Sequence, residues 1–269
     1  VTDQSVEGRA VAGHIHERHW SGDPDRPALA LHCMMGSGRY WGPIARDLDG
    51  RIDLRGFDMP GHGRSDDWAP QPGDSDLHTA VTRIAASMID RPLDLIGHSF
   101  GATVALRIAV AAPEAIRTLT LIEPVLFAAA PIPEETQLGD LLRGLVAQGQ
   151  TEQAARAFLS IWGDQPFDAL PAPIRQQMTR QIELVAGTHD TLLQDGANIL
   201  REGGLEAVDA PVMLISGAKS PPVIAAIAEA LAARLPDVGR ATVPDAGHML
   251  PITHPAQVAG LIGINLDRG

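Results

Sequence analysis

The sequence predicts an α/β fold: a mostly parallel, doubly wound central sheet carrying an inserted helical segment. Three observations lead there. Apolar runs of strand length alternate with helix-forming stretches along most of the chain, the rhythm of a parallel sheet covered on both faces. One strand-turn-helix unit carries Gly97-His98-Ser99-Phe100-Gly101 at its bend. From residue 125 to 205 the strand rhythm stops, and helical segments follow one another instead.

Size and charge narrow the function classes. The 269 residues, 45% of them hydrophobic, suffice for one sizeable core with an insertion. A net charge of −12 with no Lys/Arg run argues against nucleic acid and anionic membranes as partners. The single cysteine, Cys33, excludes an internal disulfide and fits a reducing compartment. No stretch reaches the ~18–20 apolar residues of a membrane span, and the first residues carry no apolar signal core. The expectation is a cytoplasmic protein acting on a small molecule, its oligomeric state left open.

Residues 5–20 alternate loosely and predict two short strands broken near Gly13, with His14 and His16 on one strand face. That pair lacks Cys or carboxylate neighbours, so it predicts surface histidines and no metal site. The run from Pro27 to His32 predicts a buried parallel strand. A glycine-rich loop follows it to Trp41; such a loop can turn backbone N–H groups toward a site, although alone it reads as an ordinary connection. Helix Trp41 to Leu48 and strand Ile52 to Phe57 come next. The turn Asp58 to Ser65 holds Pro60, Gly61 and Gly63 but lacks the Lys-Ser/Thr ending of a phosphate loop. It predicts a rigid structural turn, with His62 as a hydrogen-bonding turn residue.

Helix Leu77 to Ile89 precedes the elbow, helix Ala102 to Ala112 leaves it, and strand Arg117 to Ile122 ends at Glu123-Pro124. The insertion predicts helices near 134–149, 151–162, 172–185 and 190–201. Strand Pro211 to Ser216, helix Pro222 to Leu235, strand Arg240 to Val243 and helix Pro255 to Leu266 complete the chain. The division is therefore a core of 1–124 and 206–269 with a helical insertion at 125–205.

The elbow spacing has a chemical reason. A serine hydroxyl attacks well only when it stands proud of the sheet edge, beside a base and beside free backbone N–H groups. A sharp bend does this but brings helix against strand, so Gly97, Gly101 and Ala102 need to be small. The helix N-terminus adds unsatisfied N–H groups where an oxyanion would form. His32, Glu123 and His248 also fall just past strands, and sites gather at the carboxyl ends of parallel strands.

Through the His32-to-Trp41 loop, the Asp58-to-Ser65 turn, the Gly97-to-Gly101 elbow and Gly247-His248, the chain resembles the α/β-hydrolase superfamily over essentially its whole length. The resemblance implies the α/β-hydrolase fold with a helical cap at 125–205 and no cofactor. It also implies Ser99 as nucleophile, His248 as base, and the N–H groups of Met34 and Phe100 as oxyanion hole. One such donor is worth ~3–4 kcal/mol. A histidine titrating near the ordinary ~6.5 supplies the neutral imidazole needed at pH 7.

The sequence departs from the common pattern at the acid. The usual Gly-x-x-Asp place reads Gly217-Ala218-Lys219-Ser220, without a carboxylate. Glu123, 24 residues after Ser99, matches an alternative acid position that some members use. Asp190 and Asp195 are lesser candidates, and Asp245 reads as a turn residue. Cys33 stands where many relatives carry glycine and reads as a packing residue.

The pocket between elbow and cap is expected to use His32, Met35, Phe127, Trp162 and Met249, with Met34 and Val125 beside them. Such walls favour a small, neutral, partly apolar acyl substrate, with Arg39 or Lys219 near the mouth. The expected activity is hydrolysis of a small carboxylic ester or lactone, or of a C–C bond, through an acyl-enzyme on Ser99. Cofactor-independent dioxygenation by a His248–Glu123 pair stays open as a second chemistry of the same fold. An intact Ser99 and His248 disfavour a non-catalytic binding role, and a serine at position 99 disfavours haloalkane dehalogenation.

Overall fold

A computed structural model describes residues 2–5 and 13–269. Among these residues eight strands form one sheet in the order β1-β2-β4-β3-β5-β6-β7-β8. They are β1 (Thr2–Ser5), β2 (His16–Trp20), β3 (Pro27–Leu31), β4 (Asp53–Phe57), β5 (Leu93–His98), β6 (Ile116–Ile122), β7 (Val212–Gly217) and β8 (Val238–Val243). Strand β2 pairs antiparallel with β1 and with β4, and every pairing from β4 to β8 is parallel. The chain runs from β3 outward to β4 and then returns to β5 on the other side of β3. That reversal opens a crevice beyond the ends of β3 and β5, the place where such sheets carry their sites.

The helices cover both faces. They are α1 (Trp41–Asp47), α2 (Leu77–Ser87), α3 (Phe100–Ala111), α4 (Pro133–Ala147), α5 (Thr151–Trp162), α6 (Ala172–Leu193), α7 (Pro222–Ala232), α8 (Leu250–Thr253) and α9 (Pro255–Leu266). Strand alternation sorts the core into two layers. Leu95, Leu119 and Leu121 face a core shared with α2, α3 and α7, whereas Ile96, Ile122 and Ile215 face Trp41 and Ile44 of α1 and Ile262 of α9. Strands β5 and β6 are buried nearly throughout, and Asp94 of β5 is accommodated there because it accepts Arg26 Nε–H and the Thr118 hydroxyl.

The elements between Pro27 and Leu266 fall where the sequence predicts them, with ends shifted by a few residues. Three expectations need correction. The first strand lies at Thr2–Ser5 rather than from residue 5, and residues 6–12 of the expected run lie outside the described residues. His14 precedes β2, so it does not share a strand face with His16. The helices expected at 172–185 and 190–201 are instead one 22-residue helix, α6, that ends at Leu193. Gly187 weakens that helix by ~1 kcal/mol, but the flanking Ile182, Val185, Ala186 and His189 keep one face buried through it. Past α6 the chain turns at Asp195, with φ +48°, and the Asp195 carboxylate accepts the N–H groups of Ile199 and Leu200 at 2.8 and 2.7 Å.

Among the described residues no helix is long and apolar enough to cross a membrane.

Candidate active site

Ser99 sits between β5 and α3 with φ +56° and ψ −118°, a conformation side chains rarely adopt. The tight bend is paid for by small neighbours. A Cβ on Gly97 would lie 2.4 Å from the Gly101 carbonyl oxygen, and one on Gly101 would lie 2.4 Å from the Leu31 oxygen. The bend is pinned to the sheet because the Ser99 N–H donates to the Ile122 carbonyl at 2.8 Å. Phe100, the first residue of α3, therefore offers an N–H with no partner inside the helix.

Glu123 directly follows β6 with φ +51°, its N–H held by the Ile215 carbonyl at 2.9 Å. Its carboxylate is fully buried, which demands donors. Three supply them. Oε1 accepts the Gly217 N–H and the Ser220 hydroxyl, each at 2.6 Å, and Oε2 accepts His248 Nδ1–H at 2.8 Å. With Nδ1 so occupied, His248 Nε2 is free to accept the Ser99 hydroxyl, and Oγ lies 2.9 Å from it. An imidazole oriented by a carboxylate and bonded to a hydroxyl can take that hydroxyl's proton as the oxygen attacks.

The other carboxylates stand apart from this line. Asp190 pairs with Arg143, Asp195 caps the turn after α6, and exposed Asp245 pairs with Lys219 at 3.0 Å. Ser220 was not singled out by sequence reasoning. Its signal was available, as the nearest hydroxyl in a loop that lacks the expected carboxylate.

The loop after β3 lies beside Ser99. The Cys33 carbonyl accepts His32 Nδ1–H at 2.7 Å and the Gly36 N–H at 3.1 Å. In a trans peptide the following N–H points the opposite way, so these two bonds also aim the Met34 N–H. His32 Nε2 accepts the Met59 N–H at 2.8 Å, which ties this loop to the Asp58 turn. Both ring nitrogens are thus occupied by backbone. Burial, with His62 nearby, pushes the His32 pKa down to about 3, so it is a neutral brace. This corrects the expectation that His32 contacts substrate. The Asp58 turn is itself structural: the buried Asp58 carboxylate accepts the Gly38 and Arg64 N–H groups at 2.7 and 2.9 Å, and His62 Nδ1–H donates to the Pro60 carbonyl at 2.9 Å. Burial of Cys33 pushes its thiol up to about 12, as suits a packing residue.

A cavity of about 240 Å³ opens onto Ser99 and His248. Met34, Met35, Met178, Met249, Phe158 and Trp162 form much of its wall, and among the described residues Cys33, Asp164 and Gln165 add the other polar side chains. Trp162 stands edge-on to His248, with ring centroids 4.7 Å apart. Phe127 does not reach the cavity; it packs behind Trp162, centroids 5.9 Å apart, because the larger indole fills the space between them. Val125 is likewise core, and neither Arg39 nor Lys219 lines the cavity. Among the described residues no cluster of three or more His, Cys, Asp or Glu side chains is placed to hold a metal.

A strained serine elbow on a doubly wound sheet, with an imidazole and a carboxylate delivered by later strand ends, defines a hydrolase of the α/β class. The chain belongs to the alpha/beta hydrolase family, whose sequence pattern matches residues 28–261. It is 26% identical to the lipase LipV of Mycobacterium tuberculosis over 253 residues, covering 89% of this chain and 93% of that one. It is 28% identical to a pimeloyl-[acyl-carrier protein] methyl ester esterase of Nitrosomonas europaea, covering 90% and 96%. Its fold matches the haloalkane dehalogenase DatA of Agrobacterium tumefaciens with a TM-score of 0.78 at 20% identity, covering 99% and 96%.

Proposed function

We propose that this hydrolase cleaves small neutral carboxylic esters or lactones through an acyl-enzyme on Ser99. The observation that carries the reading is the line Ser99–His248–Glu123, bonded at 2.9 and 2.8 Å and opening into an apolar cavity. Ser99 Oγ attacks the ester carbonyl carbon while its proton passes to His248 Nε2. The negative charge on the carbonyl oxygen falls to the N–H groups of Met34 and Phe100. As the C–O bond breaks, the same proton leaves with the alcohol. Water then repeats the sequence, releasing the acid and restoring the serine. Glu123 keeps His248 in the tautomer that presents a bare Nε2 and stabilises the imidazolium that forms.

Substrate class follows from the walls. Among the described residues, methionines and aromatics line the cavity with no Lys or Arg, which favours an apolar acyl group over a carboxylated one, and Asp164 adds a negative charge at the same cavity. The relatives named as a lipase and as a methyl ester esterase fit ester cleavage. Helices α4 to α6, entering between β6 and β7, serve in this reading as a cap over residues 125–205. A single cysteine, buried and unpaired, fits a cytoplasmic setting.

Rapid-mixing hydrolysis of p-nitrophenyl butyrate tests the proposal. A stoichiometric burst that Ser99→Ala abolishes is expected. Equal turnover by both proteins would remove the acyl-enzyme, and oxygen uptake without ester cleavage would assign His248 and Glu123 to dioxygenase chemistry.

A further inference from the structure

We propose that Tyr40 and His98 form a positioning relay that sets the oxyanion loop and the His248 loop relative to the serine elbow. The proposal rests on the serine-hydrolase reading above. The relay is a chain of three hydrogen bonds. The Cys33 N–H lies 2.9 Å from the Tyr40 hydroxyl oxygen, that oxygen lies 3.0 Å from His98 Nδ1, and His98 Nε2 lies 2.9 Å from the His248 carbonyl oxygen.

Its two ends fix every proton. A backbone N–H can only donate, so the Tyr40 oxygen accepts from Cys33 and its own O–H is left for His98. A carbonyl can only accept, so His98 Nε2 carries a proton toward His248 and Nδ1 receives the Tyr40 hydroxyl. His98 is thereby held as one neutral tautomer. Its complete burial and the neighbouring His248 keep its pKa well below the ordinary 6.5. Neutrality matters, because the two imidazole centroids are 5.2 Å apart and His248 becomes cationic in each turnover.

The relay joins three segments that meet at the site. Cys33 follows β3 and precedes the oxyanion residue Met34, His98 is the last residue of β5 beside Ser99, and His248 lies in the loop between β8 and α8. The Cys33 peptide groups are gripped from both ends, with N–H on Tyr40 and C=O on His32 and Gly36. A shift of Tyr40 would therefore tilt the Met34 N–H and release the backbone of His248 together. Neither residue touches the cavity, so both act through the groups they hold.

The test compares Tyr40→Phe, His98→Ala and His98→Gln with the wild-type protein. Tyr40→Phe removes one oxygen and keeps the ring. It is expected to lower kcat on p-nitrophenyl butyrate 10- to 100-fold, to leave KM within twofold, and to slow labelling of Ser99 by a fluorophosphonate about tenfold. Active-site titration normalises each rate to folded enzyme. Glutamine can accept at Oε1 and donate at Nε2, so His98→Gln is expected to recover at least half of the logarithmic loss seen in His98→Ala. Nitrogen-15 NMR of histidine is expected to find His98 protonated at Nε2 alone between pH 6 and 8. A Tyr40→Phe enzyme within twofold of wild type per titrated site, or a His98 protonated at Nδ1, overturns the relay. Loss of the Ser99 requirement with the tautomer intact would instead strike the serine-hydrolase reading and leave the relay standing.

Discussion

Ser220 donates its hydroxyl to Glu123 across 2.6 Å, so the loop after β7, which has no carboxylate, still serves the carboxylate that follows β6. Hydrogen bonds to a charged group are worth ~1.5–3 kcal/mol, and this one fixes the carboxylate facing His248. Ser220→Ala is expected to lower kcat about tenfold with little change in KM, measured on a chromogenic ester.

Glu123→Gln should cost far more. An amide can still sit beside His248 but can present its nitrogen, favouring the wrong imidazole tautomer, for which the penalty reaches ~10⁴ in kcat. Thermal unfolding of the variant checks that the buried position remains folded. Near-wild-type turnover would place the acid elsewhere.

Acid stability follows from buried histidines besides His98, three of them strongly shifted. Burial holds His32 at about 3, and His62 and His78 at about 4, with Arg107 adding to the effect on His78. In the unfolded chain each titrates near ~6.5. Their folded-state values are depressed, so the stability they preserve is complete above about pH 6.5. It falls as the pH drops toward 4, because only the unfolded state takes up the protons. Each costs roughly 1.4 kcal/mol per pH unit in that window. The melting temperature is expected to fall steeply between pH 6.5 and 4.5, and His62→Gln should flatten the slope.

Glu135 works in the opposite direction. Burial, then Glu134, raises its pKa from 4.5 to about 7, and its Oε2 has no hydrogen-bond partner among the described residues. The folded state therefore holds a proton that the unfolded state loses between about pH 4.5 and 7, so stability falls as pH rises through that range. Glu135→Gln is expected to raise the melting temperature at pH 8 and to leave it unchanged near pH 4.5.

Cavity size makes a selectivity prediction. Met178→Phe puts a stiffer, bulkier side chain into the wall, where an unbranched methionine adapts. Hydrolysis of p-nitrophenyl octanoate is expected to fall at least ~10-fold, about 1.4 kcal/mol, while the butyrate ester stays within about threefold. Parallel loss on both esters would place Met178 outside the acyl path.

Much of this was legible in the sequence because the signals are local. Buried parallel strands announce themselves as apolar runs, and the elbow needs its glycines within five residues. Glu123 could be picked out because it ends a strand beside a loop that lacks the usual acid. Several of the misreadings depend on partners that are not local in sequence. His32 at a strand end looks like a site residue until both nitrogens prove to be taken by Cys33 and Met59. Tyr40 and His98 meet across 58 positions, and His98 meets His248 across 150, distances over which no periodicity speaks. The break expected between 185 and 190 is absent because the propensity cost of Gly187 is weaker than burial of the surrounding face.

Cys33 has one more consequence. It is the only thiol in the chain, and at pH 8 a thiol held at about 12 is ionised in about one molecule in 10⁴. An alkylating reagent in solution therefore meets almost no reactive sulfur while the loop is seated. The backbone that carries it is held by Tyr40 at the Cys33 N–H and by His32 and Gly36 at the Cys33 carbonyl. Alkylation is therefore expected to be slow in the folded chain and fast once the chain is unfolded, so the sulfur serves as an internal reporter of folding.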